Sequence, residues 1–270
     1  MWNDKRGYLV ISIQIEIENR PQSFINDYSW NKFVATNKQK TDINVTIINS
    51  ESVDYQVERY RMPQQYDQIM RYDSDVLVAN EDWSLCTLLS LNDPMNLPIF
   101  LNHIYYSKAV FCHLIQCHSS LIEYRGEGIL FLGPSGIGKT TQAELWNKYR
   151  NARIINGDIV FVQETPDAFL GWGTPWHGSS PYCENTSVPV KALIVLKQAQ
   201  ENSIRELTGF EKVTAVSNNV FYPQWLEGGM ELCLETLNHL LSALPVYELS
   251  CRADEEAVRL TEEAVFGGRA

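Results

Sequence analysis

The sequence predicts an α/β protein: a mixed β-sheet with flanking helices that carries a phosphate-binding loop, plus a smaller β-rich N-terminal part. Three observations carry this expectation. Residues 133–140 form a glycine-rich loop with an apolar run before it and a helical pattern after it. Beyond residue 150, strand-like runs follow one another with few helices between them, unlike the strict alternation of a doubly wound sheet. The beginning of the chain shows the two-residue period of half-buried strands. The expected division is 1–97 for a β-rich N-terminal domain and 98–270 for the loop-bearing domain.

In chain order, Leu9, Ile11, Ile13, Ile15 and Ile17 alternate with Val10, Ser12, Gln14 and Glu16, and read as one strand. Residues 18–44 are polar and read as loops. Short strands are expected at Val45–Ile48, Asp54–Arg61 and Asp75–Ala79. A helix follows Pro98, with Phe100, His103, Ile104, Lys108 and Ala109 at helical spacing. Next comes a hairpin, Ile115–Tyr124 and Ile129–Leu132, whose Gly126 and Gly128 supply the turn. A helix over Lys139–Tyr149 follows the loop. Strands are then expected at Arg153–Ile155, Ile159–Gln163, Phe169–Trp172, Ala192–Lys197 and Ser203–Leu207. Helices at Glu211–Asn218 and Leu226–Leu244, a strand Val246–Cys251 and a helix Asp254–Phe266 complete the pattern.

Composition excludes several classes. The net charge is −11 and there is no Lys/Arg run, so a nucleic-acid backbone has no basic face to meet. No apolar stretch approaches the roughly 20 residues of a membrane span. Ser12, Gln14 and Glu16 interrupt Tyr8–Ile17, so it is no signal peptide. The six cysteines are too sparse for a disulfide scaffold and read as reduced thiols, which makes a cytoplasmic protein the expectation. Cys112-His113 and Cys117-His118 straddle a helix-to-strand change without zinc-finger spacing, and are not read as a zinc site.

Gly133-Pro134-Ser135-Gly136-Ile137-Gly138-Lys139-Thr140 fits G-x-x-x-x-G-K-[ST]. Glycines let the backbone curl so that several N–H groups point at phosphate oxygens, and the helix that begins there adds its positive end. Lys139 can reach the β- and γ-phosphates, the Thr140 hydroxyl can ligate Mg²⁺, and Thr141 extends the nucleotide-binding stretch. About one chain in a hundred of this length would match by chance. Many such enzymes carry an Asp at the end of a second apolar strand. The apolar run Ala192–Leu196 ends in Lys197, so the candidate is Asp158 in Arg153-Ile154-Ile155-Asn156-Gly157-Asp158. One helix and one short strand after Thr140, it is expected beside the loop, as a metal ligand or as the acceptor of a hydroxyl proton.

From Cys117 to Phe266 the chain resembles HPr kinase/phosphorylase, and more closely the HPr-kinase-like proteins found beside peptide-modification genes. The resemblance rests on His118 before the loop, on Gly133 to Lys139, on Asp158, and on Gly173-Thr174-Pro175-Trp176-His177-Gly178. Val246-Tyr247-Glu248-Leu249 with Asp254-Glu255-Glu256 is similar too. It implies a fold shared with the ATP-dependent phosphoenolpyruvate carboxykinases, ATP and Mg²⁺ as cofactors, and a kinase-like domain over 98–270. The family carries a pair of Asp residues, and Gly157 stands where the first would be. That departure removes a carboxylate and puts phosphorylase-type reversal in doubt; Gly157→Asp is expected to raise activity if the missing carboxylate is a handicap.

The expected activity is transfer of the γ-phosphoryl group of ATP to a Ser/Thr hydroxyl of a peptide or small protein. Lys139, Asp158 and His118 are the expected catalytic residues, and Thr140 and Asp158 the metal ligands. Thr174, Pro175, Trp176, His177 and Gly178 are an expected substrate loop, with Glu184 and Asn185 as further contacts. A small-metabolite kinase and a non-catalytic nucleotide-binding partner of a peptide-modifying system are the alternatives. A homo-oligomer stays open.

Overall fold

The computed structural model describes residues 5–36, 40–48, 66–89 and 96–267. The strand expected at Asp54–Arg61 lies outside them. The chain divides into two compact units, 1–108 and 109–270.

The first unit contains β1 (Lys5–Val10), β2 (Ile13–Glu18), α1 (Gln22–Ile25), α2 (Tyr28–Asn31), β3 (Ile43–Ile48), β4 (Gln68–Tyr72), β5 (Asp75–Ala79), β6 (Leu85–Leu89) and α3 (Asn96–Ala109). Its strands form a mixed sheet in the order β1-β2-β3-β6-β5-β4. Three sequence expectations need correction here. The alternating run at Leu9–Ile17 is a hairpin rather than one strand, with Val10 opposite Ile13 across a turn at Ile11-Ser12. Ile11 sits at φ 57°, a region that β-branched residues avoid, so no residue type announces the turn. Residues 18–44 contain two short helices, because Phe24, Trp30 and Phe33 are buried, with Phe24 and Trp30 against Tyr8. Third, α3 belongs to the first unit, so the division falls at 108/109 rather than 97/98. Side-chain links explain why: Asn96 Nδ2 donates to Asp75 Oδ2 at 2.9 Å, Tyr105 Oη to the Val10 carbonyl at 3.4 Å, and Lys108 pairs with Asp82 at 3.1 Å.

The second unit contains β7 (Leu114–Tyr124), β8 (Glu127–Leu132), α4 (Lys139–Arg150), β9 (Arg153–Asn156), β10 (Ile159–Glu164), β11 (Phe169–Trp172), β12 (Ser187–Gln198), β13 (Ser203–Leu207), α5 (Gly209–Ser217), β14 (Val220–Phe221), α6 (Gly229–Ala243), β15 (Val246–Cys251) and α7 (Glu255–Phe266). The main path of its nine-stranded sheet is β11-β10-β7-β8-β12-β15-β13, with β9 and β14 both on β7. β8, β12 and β15 are parallel neighbours, and the other pairings are antiparallel. The sheet is therefore mixed.

Burial accounts for this order. Ile122, Phe131, Ile194 and Leu249 face one core with Trp146 of α4 and Val258 of α7. Leu121, Leu130 and Leu193, one position along each strand, are also buried. Both faces of the central strands are covered, which is why their sequences read as continuous apolar runs. The β7–β8 hairpin turns on Arg125 (φ 55°) and Gly126 (φ 78°), the two positive dihedrals a tight two-residue turn requires.

Replacing Ile11 by Gly relieves a left-handed β-branched residue. We expect Ile11→Gly to raise stability by about 1 kcal/mol, seen as a later urea unfolding midpoint. A midpoint earlier than that of the parent chain would show that the Ile11 side chain contributes more by packing than it loses in backbone strain.

Candidate active site

The site grows out of one end of β8. The strand stays apolar to Leu132, and Gly133 then turns the chain at φ 145°. A Cβ at Gly133 would lie 2.9 Å from Ile137 Cγ2, so the turn needs glycine for space as well as for dihedral. At Gly136 (φ 78°) and Gly138 (φ 113°) a Cβ would meet nothing within 4 Å, so there the need is the dihedral alone. The loop delivers the chain into α4, whose first residue is Lys139. Ser120 Oγ on β7 donates to the Lys139 carbonyl at 2.9 Å and holds that helix start in place.

Loop and helix line a chamber of about 260 Å³ with Ser135, Gly136, Gly138, Lys139, Thr140 and Thr141. The facing wall is His118, Gly157, Asp158, Ser179 and Ser180. Lys139 is buried, and its Nζ donates to the carbonyls of Gly133 at 2.8 Å and Pro134 at 3.2 Å. Burial lowers its pKa from the ordinary 10.5, and the nearby Asp158 charge opposes that shift. To hold a phosphate in the chamber, the ammonium would exchange these carbonyls for phosphate oxygens. Ile137 does not line the chamber; Gly133 and Pro134 contribute by holding Lys139.

The opposite wall is fixed by hydrogen bonds. Asn156 Oδ1 accepts from the backbone N–H of Asp158 at 2.8 Å and of Ile159 at 3.1 Å. Its Nδ2 donates to the carbonyls of Thr174 at 3.0 Å and Trp176 at 3.3 Å. One buried amide therefore sets both the Asp158 turn and the loop that covers it. The Ser119 N–H donates to the Asp158 carbonyl at 2.8 Å, and His118 Nε2 lies 3.1 Å from Asp158 Oδ1. Thr140 Oγ1 donates to the Gly157 carbonyl at 3.2 Å, which joins α4 to this wall.

Two glycines permit the close approach. Gly178 has φ 57°, and a Cβ there would sit 2.5 Å from Asp158 Oδ2. At Gly157 a Cβ would lie 1.8 Å from Ser180 Oγ. The space that a side chain at 157 would need is thus taken here by a serine. Gly157→Asp is not the simple gain that the sequence suggests, because Ser180 must first move.

The expected substrate loop divides in two. Thr174, Pro175 and Trp176 are interior residues that hold the loop: Thr174 Oγ1 donates to the Ile159 carbonyl at 2.7 Å, and Trp176 packs near Phe161. His177 Nδ1 is hydrogen-bonded to the Ser180 carbonyl. Gly178 meets Asp158, and Ser179 and Ser180 reach the chamber. Glu184 pairs with Arg153 at 3.5 Å, away from the chamber wall. Asn156, Ser179 and Ser180 are site residues that reading the sequence misses. Their signal is the adjacency of Asn156 to Gly157-Asp158 and the unbroken Gly178-Ser179-Ser180 run.

The residues fit a Mg²⁺-bound nucleotide. Thr140 and Asp158 bring hard oxygen donors to one chamber that also holds a cation and loop amides. Among the described residues no three His, Cys, Asp or Glu cluster as a metal cage. Mg²⁺ suits such a place, since it takes one or two protein ligands and completes its shell with phosphate oxygens and water.

No family model matches the chain. It is 27% identical over 119 residues to the HPr kinase/phosphorylase of Mycoplasmopsis pulmonis (strain UAB CTIP), over 40% of this chain and 36% of that protein. The chain thus matches about a third of that relative's length. A weak spatial likeness, TM-score 0.36 at 9% identity, relates 55% of this chain to 95% of the Hpr(Ser) kinase/phosphatase from Coxiella burnetii. The resemblance to HPr kinase/phosphorylase read from the residues is therefore found by comparison as well.

Gly157 and Ser180 are expected to be coupled. Gly157→Ala alone should destabilise the protein by about 1–3 kcal/mol through overpacking, and Ser180→Gly should restore most of the loss. Thermal unfolding of the parent, both single variants and the double variant measures the coupling. Additive effects would mean that Ser180 does not occupy that space.

Proposed function

We propose that this chain, similar to HPr kinase/phosphorylase over 119 residues, is an ATP-dependent kinase that phosphorylates a Ser or Thr hydroxyl of a peptide or small protein. The observation that supports it most is the His118–Asp158 pair at 3.1 Å, in the same 260 Å³ chamber as Lys139, Thr140 and the glycine-rich loop. A base and an anion cradle that face each other across so small a space suit in-line phosphoryl transfer.

In this reading the loop amides and Lys139 hold the β- and γ-phosphates. Asp158 accepts the proton of the attacking hydroxyl as its oxygen bonds to the γ-phosphorus and the bond to the β-bridging oxygen breaks. His118, hydrogen-bonded to the other side of that carboxylate, orients it. Thr140 would hold a Mg²⁺ ion, whose chemistry there would be charge neutralisation of the departing diphosphate. Ser179 and Ser180 line the same chamber as Asp158, and in this reading they would contact the acceptor. An acceptor of small-protein kind follows the analogy with the Mycoplasmopsis relative, an HPr kinase/phosphorylase.

Lys139→Ala should weaken Mg·ATP binding at least tenfold, about 1.4 kcal/mol. The affinity should also depend on pH through this residue. Phosphate binding needs the ammonium form, and burial sets its pKa below 10.5. Affinity is then full below the residue's own pKa and falls as pH rises through it, in a window that opens below 10.5. Calorimetric titrations across pH should show this fall in the parent protein and none in Lys139→Ala. Equal affinities at all pH values in both proteins would remove Lys139 from the site.

Asp158→Asn separates binding from chemistry. It preserves size but removes the base, so ATP affinity should stay near normal. Single-turnover transfer should drop at least about a hundredfold, roughly 3 kcal/mol of barrier. Transfer at the parent rate would refute this mechanism. Loss of affinity together with Mg²⁺ dependence would make Asp158 chiefly a metal ligand.

A further inference from the structure

Among the described residues, five hydroxyl side chains of the protein itself line the phosphate chamber: Ser135, Thr140, Thr141, Ser179 and Ser180. In phosphoryl transfer the attacking and leaving oxygens lie on opposite sides of the phosphorus, roughly in line. Ser135, Thr140 and Thr141 belong to the glycine-rich loop and the start of α4, the side that would keep the departing diphosphate. Ser179 and Ser180 stand on the facing wall with Asp158, the side from which a hydroxyl attacks.

These two serines differ. Ser180 is fixed: it is 8% exposed, its Oγ accepts from the Tyr182 N–H at 3.3 Å, and it fills the space beside Gly157. Ser179 is exposed, and its hydroxyl makes no hydrogen bond among the described residues. The turn that carries it runs from His177 to Ser180, whose N–H donates to the His177 carbonyl at 3.0 Å. Gly178, the residue before Ser179, has φ 57°, and a Cβ there would sit 2.5 Å from Asp158 Oδ2. The backbone thus rests on the carboxylate one residue before a hydroxyl that nothing restrains. A nucleophile held by its own chain can act at an effective concentration of about 10⁵–10⁸ M when it is well oriented.

We propose that Ser179 is a self-phosphorylation site: with no other acceptor present, the chain transfers the γ-phosphoryl group of ATP to its own Ser179 Oγ, within one molecule. This rests on the kinase reading of the chamber. Ser179 Oγ bonds to the γ-phosphorus as the bond from that phosphorus to the β-bridging oxygen breaks. Asp158 takes the seryl proton, and the bonding electron pair leaves with ADP. Phosphoserine and ADP are the products, and no further reactant is consumed. Ser180 stays unmodified, because its attack would require it to leave the space beside Gly157.

Incubation of the full chain with Mg·ATP and no acceptor, followed by intact-mass measurement and peptide mapping, tests the assignment. The parent protein should gain one phosphoryl group, mapped to Ser179, at a rate per molecule that is the same at every protein concentration. Ser179→Ala should gain none, and Asp158→Asn should be modified at least about a hundredfold more slowly. Circular dichroism checks that both variants are folded. Phosphate mapped to another residue of the parent, undiminished uptake by Ser179→Ala, or a rate per molecule that rises with protein concentration would each overturn the site. So would a parent protein that binds Mg·ATP in calorimetry yet gains no phosphate, and that outcome leaves transfer to a separate acceptor standing. Failure of the kinase reading looks different: the parent protein would bind no Mg·ATP, or Asp158→Asn would take up phosphate as fast as the parent.

Discussion

The candidate site depends on β7 changing partners between His118 and Ser119. On one edge the strand pairs with β10 up to His118 and with β9 from Leu121; on the other it pairs with β14 up to Cys117 and with β8 from Ser119. Buried backbone groups must find hydrogen bonds wherever a ladder breaks. Here the Ser119 N–H finds the Asp158 carbonyl, and the His118 N–H finds that of Asn219. The change of partner therefore brings Asp158 beside His118, and the second half of β7 sets the strand that ends at the glycine-rich loop. Cradle and carboxylate meet because one strand serves both parts of the sheet.

Space around Asp158 is then controlled by residues with little side chain. Gly178 lets the covering loop rest against the carboxylate, and Gly157 leaves room for Ser180. The Asn156 side-chain amide bonds both backbones involved and the Thr174 hydroxyl. A polar network so fully connected inside a protein is rigid, and each member constrains the others. The absence of a carboxylate at 157 is thus part of a consistent packing arrangement.

Elements with strong periodicity and turn chemistry are legible in the sequence alone. The strand Ser203–Leu207, the strand Val246–Cys251 and the hairpin at Arg125-Gly126 fall where the residues place them. The hairpin at Ile11 was not legible, since alternation continues through a turn that contains neither Gly nor Asn. The aromatic cluster of Tyr8, Phe24 and Trp30 was hidden in a polar stretch, because isolated aromatic residues give no period. The allegiance of α3 was invisible for another reason: Asn96 and Tyr105 bond to residues remote in sequence.

The sequence by itself determined the glycine-rich loop, its place between a strand and a helix, and the nomination of Asp158. Those follow from local rules, in which glycine dihedrals, apolar runs and spacing act within a few residues. The tertiary structure alone decided which parts of the Thr174–Gly178 segment are framework and which approach the chamber. It also decided that Ser180 occupies the space beside Gly157, and that His118 meets Asp158. Such facts depend on contacts between strands distant along the chain, where a shift of an ångström separates a hydrogen bond from none.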